Sequence, residues 1–508
     1  MKWRIDMSKY KEFLQYYKKV KEYERVAALI EWDLQTQVPD TGVDGLVNCM
    51  GTISAKKFEL ETSEKMGELL KELLEPCEYE KLEEYQKTVV EKAKKYYDRD
   101  KNVPVDFYEK YSILTAKAGD VWQRAKRADD YKQFEPYLKQ VIEMTKQLAE
   151  YQSNGREVYE VLLDNNEEGM SGEIIDCLFE EIKQELIPLV KKITEKKQEL
   201  KSEIEPDFSG NYDIYRQKEF SRYLLEYIGF SFDSGVMAES EHPFTTALSN
   251  KDVRLTDHYT ENGIIDAIFS IIHEGGHGIF EQHVSDKFDE TPLFSCRYLG
   301  LHESQSRFFE NILGHNINFW KPIYGKLQKT FPNFKEIPLE AFYRKINEVQ
   351  PSLIRTSSDE VTYCFHIIIR YEIEKEIFSG KLELLDIPKR WNEKMKEYLG
   401  ITPEKDSEGA LQDTHWSGGA FGYFPSYLLG SIYDGMFLEK IEEELGCIDD
   451  ILAKGEIKKI THWLNENIHQ YGSSREPKEV LQKICGKEIS AKPLIRYFKK
   501  KYESIYFL

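Results

Sequence analysis

An apolar run over residues 263–284 constrains this chain more than any other stretch, because it carries His273-Glu274-Gly275-Gly276-His277 in its middle. Ile264, Ile265, Ile268, Phe269, Ile271 and Ile272 precede those five residues, and Ile279 and Phe280 follow them. The spacing predicts a helix that is apolar nearly all round and therefore belongs inside the protein. Positions i and i+4 of a helix share a face, so both imidazoles can reach one point. Two buried histidines and a buried glutamate need partners. Neighbouring carboxylates would serve as an ordinary structural answer, but the HExxH spacing points to a metal ion. Two neutral imidazoles suit zinc, and Glu274 stands where a carboxylate can handle the proton of an attacking water. Gly275 and Gly276 each cost a helix interior about 0.5–1 kcal/mol relative to alanine. They are expected where something approaches the helix closely, a metal with substrate beside it.

A hydrolytic zinc site takes a third protein ligand and keeps one position open. Glu303, in Leu301-His302-Glu303-Ser304-Gln305-Ser306-Arg307, lies 26 residues after His277, room for a loop and a returning helix. Phe308, Phe309, Ile312 and Leu313 continue that segment with helical period. The plainer alternative makes Glu303 and Arg307 a surface i, i+4 pair. His283 and His302 are rival ligands that do not complete a His₂Glu set, so a structural role is expected for both.

The remaining sequence frames this site. A chain of 508 residues can hold about three domains, yet its 17 prolines and 30 glycines are spread thinly and no linker or repeat stands out. One catalytic unit over residues 1–508 is expected. Residues 11–34, 54–74, 79–98, 130–154 and 171–200 carry apolar positions at 3–4 spacing between charged faces, which predicts a mainly α fold. The charge-rich stretch 196–201 reads as a solvated helix face. Residues 230–234 and 254–258 are expected to be short extended pieces, giving a small sheet with an edge for an extended peptide. A formal net charge of -20 argues against nucleic acid and anionic membranes as partners. The start MKWRIDMSKYKEF lacks the apolar core of a signal peptide, and no run of 18 apolar residues suggests a membrane span. The seven cysteines contain no CxxC pair and read as reduced core thiols of a cytoplasmic protein.

The motifs then match a family. HEGGHGIFEQ followed by HESQSR resembles the carboxypeptidase Taq type of metallocarboxypeptidase, also called thermostable carboxypeptidase 1. His242-Pro243-Phe244, Asp252-Val253-Arg254-Leu255-Thr256, the segment from Ile354-Arg355-Thr356 to Thr362, Gly409 through Gln412-Asp413-Thr414-His415-Trp416, and Gly422-Tyr423-Phe424-Pro425-Ser426-Tyr427 extend the match. Glu31-Trp32-Asp33 with Val38-Pro39 adds an N-terminal piece, valine standing where the family has methionine. The resemblance implies a helix-rich, zincin-like, homodimeric exopeptidase with a deep substrate groove and a small sheet beside the active-site helix. It implies broad removal of residues from free peptide C-termini. It also implies one zinc per subunit, replaceable by cobalt, held by His273, His277 and Glu303, with Glu274 as catalytic base.

Around that core the residue types leave choices. An oxyanion needs a donor besides the metal, and Tyr423, Tyr427 and His415 are the candidates. Metal-binding histidines usually give their other nitrogen to a carboxylate, here Asp359, Asp413 or Asp252. A free carboxylate calls for an arginine fork, for which Arg355 comes first and Arg254 second. The alternatives are a zinc endo-oligopeptidase of related helical architecture, using the same triad, and a non-catalytic peptide-binding protein.

Overall fold

The computed structural model describes residues 8–200, 206–294 and 296–508. Residues 1–7, at the start read for a signal peptide, and Lys201, at the end of the charge-rich stretch, lie outside the described residues.

Helices dominate, as the 3–4 spacing predicts. Helices Lys9–Thr36 and Val43–Glu61 pack on each other, and Val105–Ala128 pairs with Tyr131–Ser153. Between the last two, Asp129 turns the chain at φ 53° and Asp130 accepts the Lys132 N–H to start the next helix, a capping task short acidic side chains suit. The single helix expected over residues 54–74 is two, because Ser63 accepts the Met66 N–H and opens a new one at Glu64. The helix expected from residue 79 begins at Glu84, where Glu83 and Gln86 form a reciprocal cap. Such local side chain–backbone bonds set boundaries that periodicity does not register.

Three strands form the sheet, in the order β1 (Gly235–Glu239), β3 (Asp252–Asp257), β2 (Thr245–Ser249). β1 runs parallel and β2 antiparallel to β3. The extended piece expected at residues 254–258 falls largely within β3. That expected at residues 230–234 is a turn instead: Gly229, at φ 113°, ends the helix Ile214–Ile228 and the chain bends before β1 begins.

The HExxH run forms the helix Ile265–His283, which lies against β2 and β3. Ile271, Ile272, Ile279 and Phe280 are fully buried on it, in a contiguous cluster of buried side chains that extends from Tyr10 to Tyr506. No helix among the described residues is long and apolar enough to cross a membrane. The thiols differ from expectation. Cys49, Cys77, Cys177 and Cys447 are exposed and only Cys364 is buried; the first three stand at solvent-facing positions of helices and Cys447 just precedes one.

Candidate active site

His273 and His277 stack one turn apart on the central helix and face the helix Leu299–Arg307, which brings Glu303 between them. Glu303 Oε2 lies 3.8 Å from His273 Nε2 and 3.5 Å from His277 Nε2. One donor atom from each of the three residues falls within 4.8 Å of the others. Ligands about 2.1 Å from a shared tetrahedral ion stand about 3.4 Å apart, so the donor set fits a single divalent cation. Charge agrees with geometry. Burial works against a charged His273, but Glu303 and Glu310 lift it to about 9, while burial and the neighbouring His302 push His277 down to about 3. Glu303 is drawn down to about 2 by His273 and His277 against the effect of burial. A buried carboxylate surrounded by imidazoles and further carboxylates is a place made for a cation.

Close packing delivers Glu303. A Cβ on Gly276 would sit 2.7 Å from the Gln305 carbonyl oxygen and the Ser306 Cα. On the opposite side, one on Gly430 of the helix Phe424–Leu445 would come within 3.0 Å of the Gly300 oxygen and Ser304 nitrogen. The Glu303 helix is thus held backbone-to-backbone between two glycines. A Cβ on Gly275 would come 2.6 Å from Ile228 and 2.7 Å from Leu225. The paired glycines therefore admit protein, and the expected role in admitting substrate is corrected. The same short helix has no cap of its own; Glu167 supplies one, accepting the Gly300 N–H at 2.6 Å and the Tyr433 hydroxyl at 2.9 Å.

None of the three aspartates weighed as partners for the histidines holds one. Glu310 does so, with Oε2 2.8 Å from His273 Nδ1. Asp413 is bonded to Arg355 and Arg370, Asp252 to Arg254, and Asp359 to backbone N–H groups at the head of its own helix. In each case a different donor occupies the carboxylate. Glu310 sits in a π-helical continuation of the Glu303 helix, Phe308–Gly314. Its signal was present in the sequence as the i, i+7 spacing from Glu303. His277 has no such carboxylate: its Nδ1 is buried without a partner. Its ring is stacked instead on His302 at 4.3 Å, and His302 Nε2 is fixed 3.0 Å from Glu281. His283 pairs with His469 at 3.3 Å, away from the donor set.

Glu274 is buried beside the donors. Thr245, on the edge strand β2, gives its hydroxyl to Glu274 Oε2 at 2.6 Å. Burial raises the Glu274 carboxyl above its ordinary range. Glu303 and Arg307 do approach to 3.9 Å, but as a buried pair rather than a surface one. Arg307 lies over Tyr363, 4.3 Å from its ring centre, and the Tyr363 hydroxyl accepts from Arg355 Nη1 at 3.0 Å. Arg355 lies 5.0 Å from the Tyr427 ring centre, Tyr427 bonds His415 Nε2 at 3.0 Å, and the Tyr423 ring is 5.3 Å from both Tyr427 and His415. Arg355, Tyr423, Tyr427 and His415 are therefore one cluster, linked to Glu303 through Arg307. Arg254 is not part of it: it is tied to both Asp252 oxygens at 2.8 Å and lies over Trp32.

Sequence and fold comparisons agree with this chemistry. The model of the carboxypeptidase Taq (M32) metallopeptidase family matches residues 12–502. Carboxypeptidase 1 of Bacillus subtilis is 42% identical over 502 residues, 98% of this chain and 99% of that protein. Thermostable carboxypeptidase 1 of Thermus thermophilus is 33% identical over 98% of this chain and 99% of its own length. The crystal structure of the M32 carboxypeptidase from Deinococcus radiodurans superposes with a TM-score of 0.94 at 28% identity, covering 99% of this chain and 100% of that one. With two half-buried imidazoles and a buried carboxylate converging beside a buried glutamate, the chain belongs to the carboxypeptidase Taq (M32) family of metallopeptidases.

Proposed function

We propose that this metallocarboxypeptidase removes residues with broad specificity from free peptide C-termini, and that its divalent metal is zinc, one per chain, held by His273, His277 and Glu303. The observation that carries this reading is the convergence of those three donors within 4.8 Å beside a buried glutamate. Imidazole and carboxylate donors suit zinc, with cobalt as a substitute. When bound, the ion supplies Lewis acidity, lowering the pKa of water and polarising the scissile carbonyl.

The chain's own residues do the rest. Glu274 takes the proton of the attacking water and passes it to the departing amine. Its raised pKa suits a group that must first accept a proton and then release it. The Thr245 hydroxyl holds the carboxylate in one orientation. Tyr423, with Tyr427 and His415 beside it, donates to the developing oxyanion. Glu310 fixes the tautomer and orientation of His273, and the Glu281–His302 pair braces the ring of His277 by stacking. Arg355 reads the substrate carboxylate. Its Nε and Nη2 face Asp413 and one Nη1 proton goes to Tyr363, which leaves an N–H on each terminal nitrogen. Two parallel N–H groups match a carboxylate. Arg254, already held by Asp252, is the second choice. The peptide lies extended along β2, the edge strand whose Thr245 touches Glu274.

The whole described chain serves as one catalytic unit, supported by its contiguous core. Four exposed free thiols fit a reducing, cytoplasmic setting, and the homodimer follows from the family resemblance. The deciding experiment offers matched peptides, one with a free C-terminus and one amidated, to the metal-loaded enzyme. Mass spectrometry is expected to show a ladder of C-terminal losses from the free peptide alone. Internal cleavage of the amidated peptide would assign an endo-oligopeptidase instead.

A further inference from the structure

Apart from the metal donors, a pocket of about 220 Å³ lies among the N-terminal helices. Phe58, Met66 and Tyr108 give it an apolar wall, and Arg297 enters from the segment that leads into the Glu303 helix. Its other charged residues are matched. Arg99 forks onto Asp100 at 3.0 and 2.7 Å, and Lys57 faces Glu61 at 3.6 Å. Arg297 forms no ion pair among the described residues, although Glu61 and Glu24 act on it from a greater distance. Its Nε is buried without an acceptor, and the hydroxyl of Tyr96, whose ring lies 4.1 Å from the guanidinium, is also buried without a partner. The arginine's backbone is anchored, since its N–H donates to Ser473 Oγ at 3.0 Å and the adjacent Tyr298 hydroxyl donates to the Ser473 carbonyl at 3.1 Å. A guanidinium stacked on the Tyr96 ring and a hydroxyl left unbonded, beside an apolar wall, form a recognition site, since buried donors without acceptors are costly.

We propose that this pocket binds a small organic carboxylate with an apolar or aromatic body. Arg297 forks the carboxylate, Tyr96 bonds it, and the body rests on Phe58, Met66 and Tyr108. A guanidinium without a contact ion pair calls for an anion, and the planar fork selects a carboxylate. An apolar wall with a few convergent polar groups is the usual make-up of a small-molecule site. Two sources share this chemistry: a simple organic acid, or an amino acid released by the enzyme, whose ammonium group would meet Glu61.

Calorimetric titration of the metal-loaded enzyme with 3-phenylpropionate, L-phenylalanine and inorganic phosphate tests the proposal. Saturable binding of 3-phenylpropionate or L-phenylalanine is expected to weaken at least tenfold in Arg297→Gln and to recover in part in Arg297→Lys. Any carboxylate bound at the metal site persists in both variants, and kcat and KM for a short peptide stay within twofold of the parent. Tighter binding of L-phenylalanine assigns the released amino acid; tighter binding of 3-phenylpropionate assigns a simple acid. Tyr96→Phe, which removes one hydroxyl, supplies the same reading if Arg297→Gln fails to fold, with binding expected to weaken severalfold. Isotherms that do not change in the Arg297 and Tyr96 variants overturn the proposal, because the pocket then holds only water. Phosphate binding as tightly as the carboxylates overturns the ligand class.

Discussion

Glu310 accepts the Nδ1–H of His273 at 2.8 Å, and this one bond decides which nitrogen of that imidazole is free to bind a metal. With Nδ1–H held by Glu310, the nitrogen that can give up its proton to a metal is Nε2, which faces Glu303. Glu310→Gln preserves the shape but weakens the bond, so metal affinity is expected to fall about 10- to 100-fold. Competition with a chromophoric chelator measures this directly; an affinity within twofold of the parent would remove Glu310 from the role. Arg355 keeps an N–H on each terminal nitrogen beyond those given to Asp413 and Tyr363. Arg355→Ala is expected to lower kcat/KM on peptides with free C-termini on the order of 10- to 100-fold, the loss of charge-assisted hydrogen bonds. Amidated peptides should stay as poor as before. An equal loss on both would mean that the variant had damaged the fold rather than the reading of the carboxylate.

At the scale of elements, the site exists because three helices touch at their backbones. Gly276 and Gly430 press on the Glu303 helix from two sides. Its N-terminal N–H group is taken by Glu167 from a distant part of the chain. A methyl group at position 276 would meet main-chain atoms, which cannot rotate away. Gly276→Ala is therefore expected to cost about 1–3 kcal/mol of stability and to weaken metal binding by displacing Glu303. Thermal melts with and without metal separate the two effects. Unchanged metal affinity in a destabilised protein would show that the helix shifts without moving its glutamate.

Asp413 ties separate stretches of the chain together, joining Arg355 to Arg370 of the helix Tyr363–Phe378. Burial alone would raise its carboxyl, but the Arg370 and Arg355 guanidiniums override burial and hold it well below the ordinary range. A depressed folded-state pKa contributes stability that is fully present above about pH 4, the unfolded value, and is lost as the pH falls toward the folded one. Asp413→Asn is expected to be less stable at pH 7 by about 3–5 kcal/mol, the cost of breaking a buried pair. That gap should narrow below about pH 4; denaturant unfolding at both ends of this range checks it, and a gap independent of pH would exclude the ion pairs as its source. The sequence by itself determined the helical class, the central helix and its paired imidazoles, since these follow from spacing within a few turns. Glu303 was legible too, as a carboxylate on a second amphipathic segment. The tertiary structure alone decided the bonds of Glu310 to His273 and Thr245 to Glu274, which join residues 37 and 29 positions apart. It also turned the HExxH glycines from a substrate approach into contacts between helices, because periodicity records which face of a helix is buried and carries no record of what it is buried against.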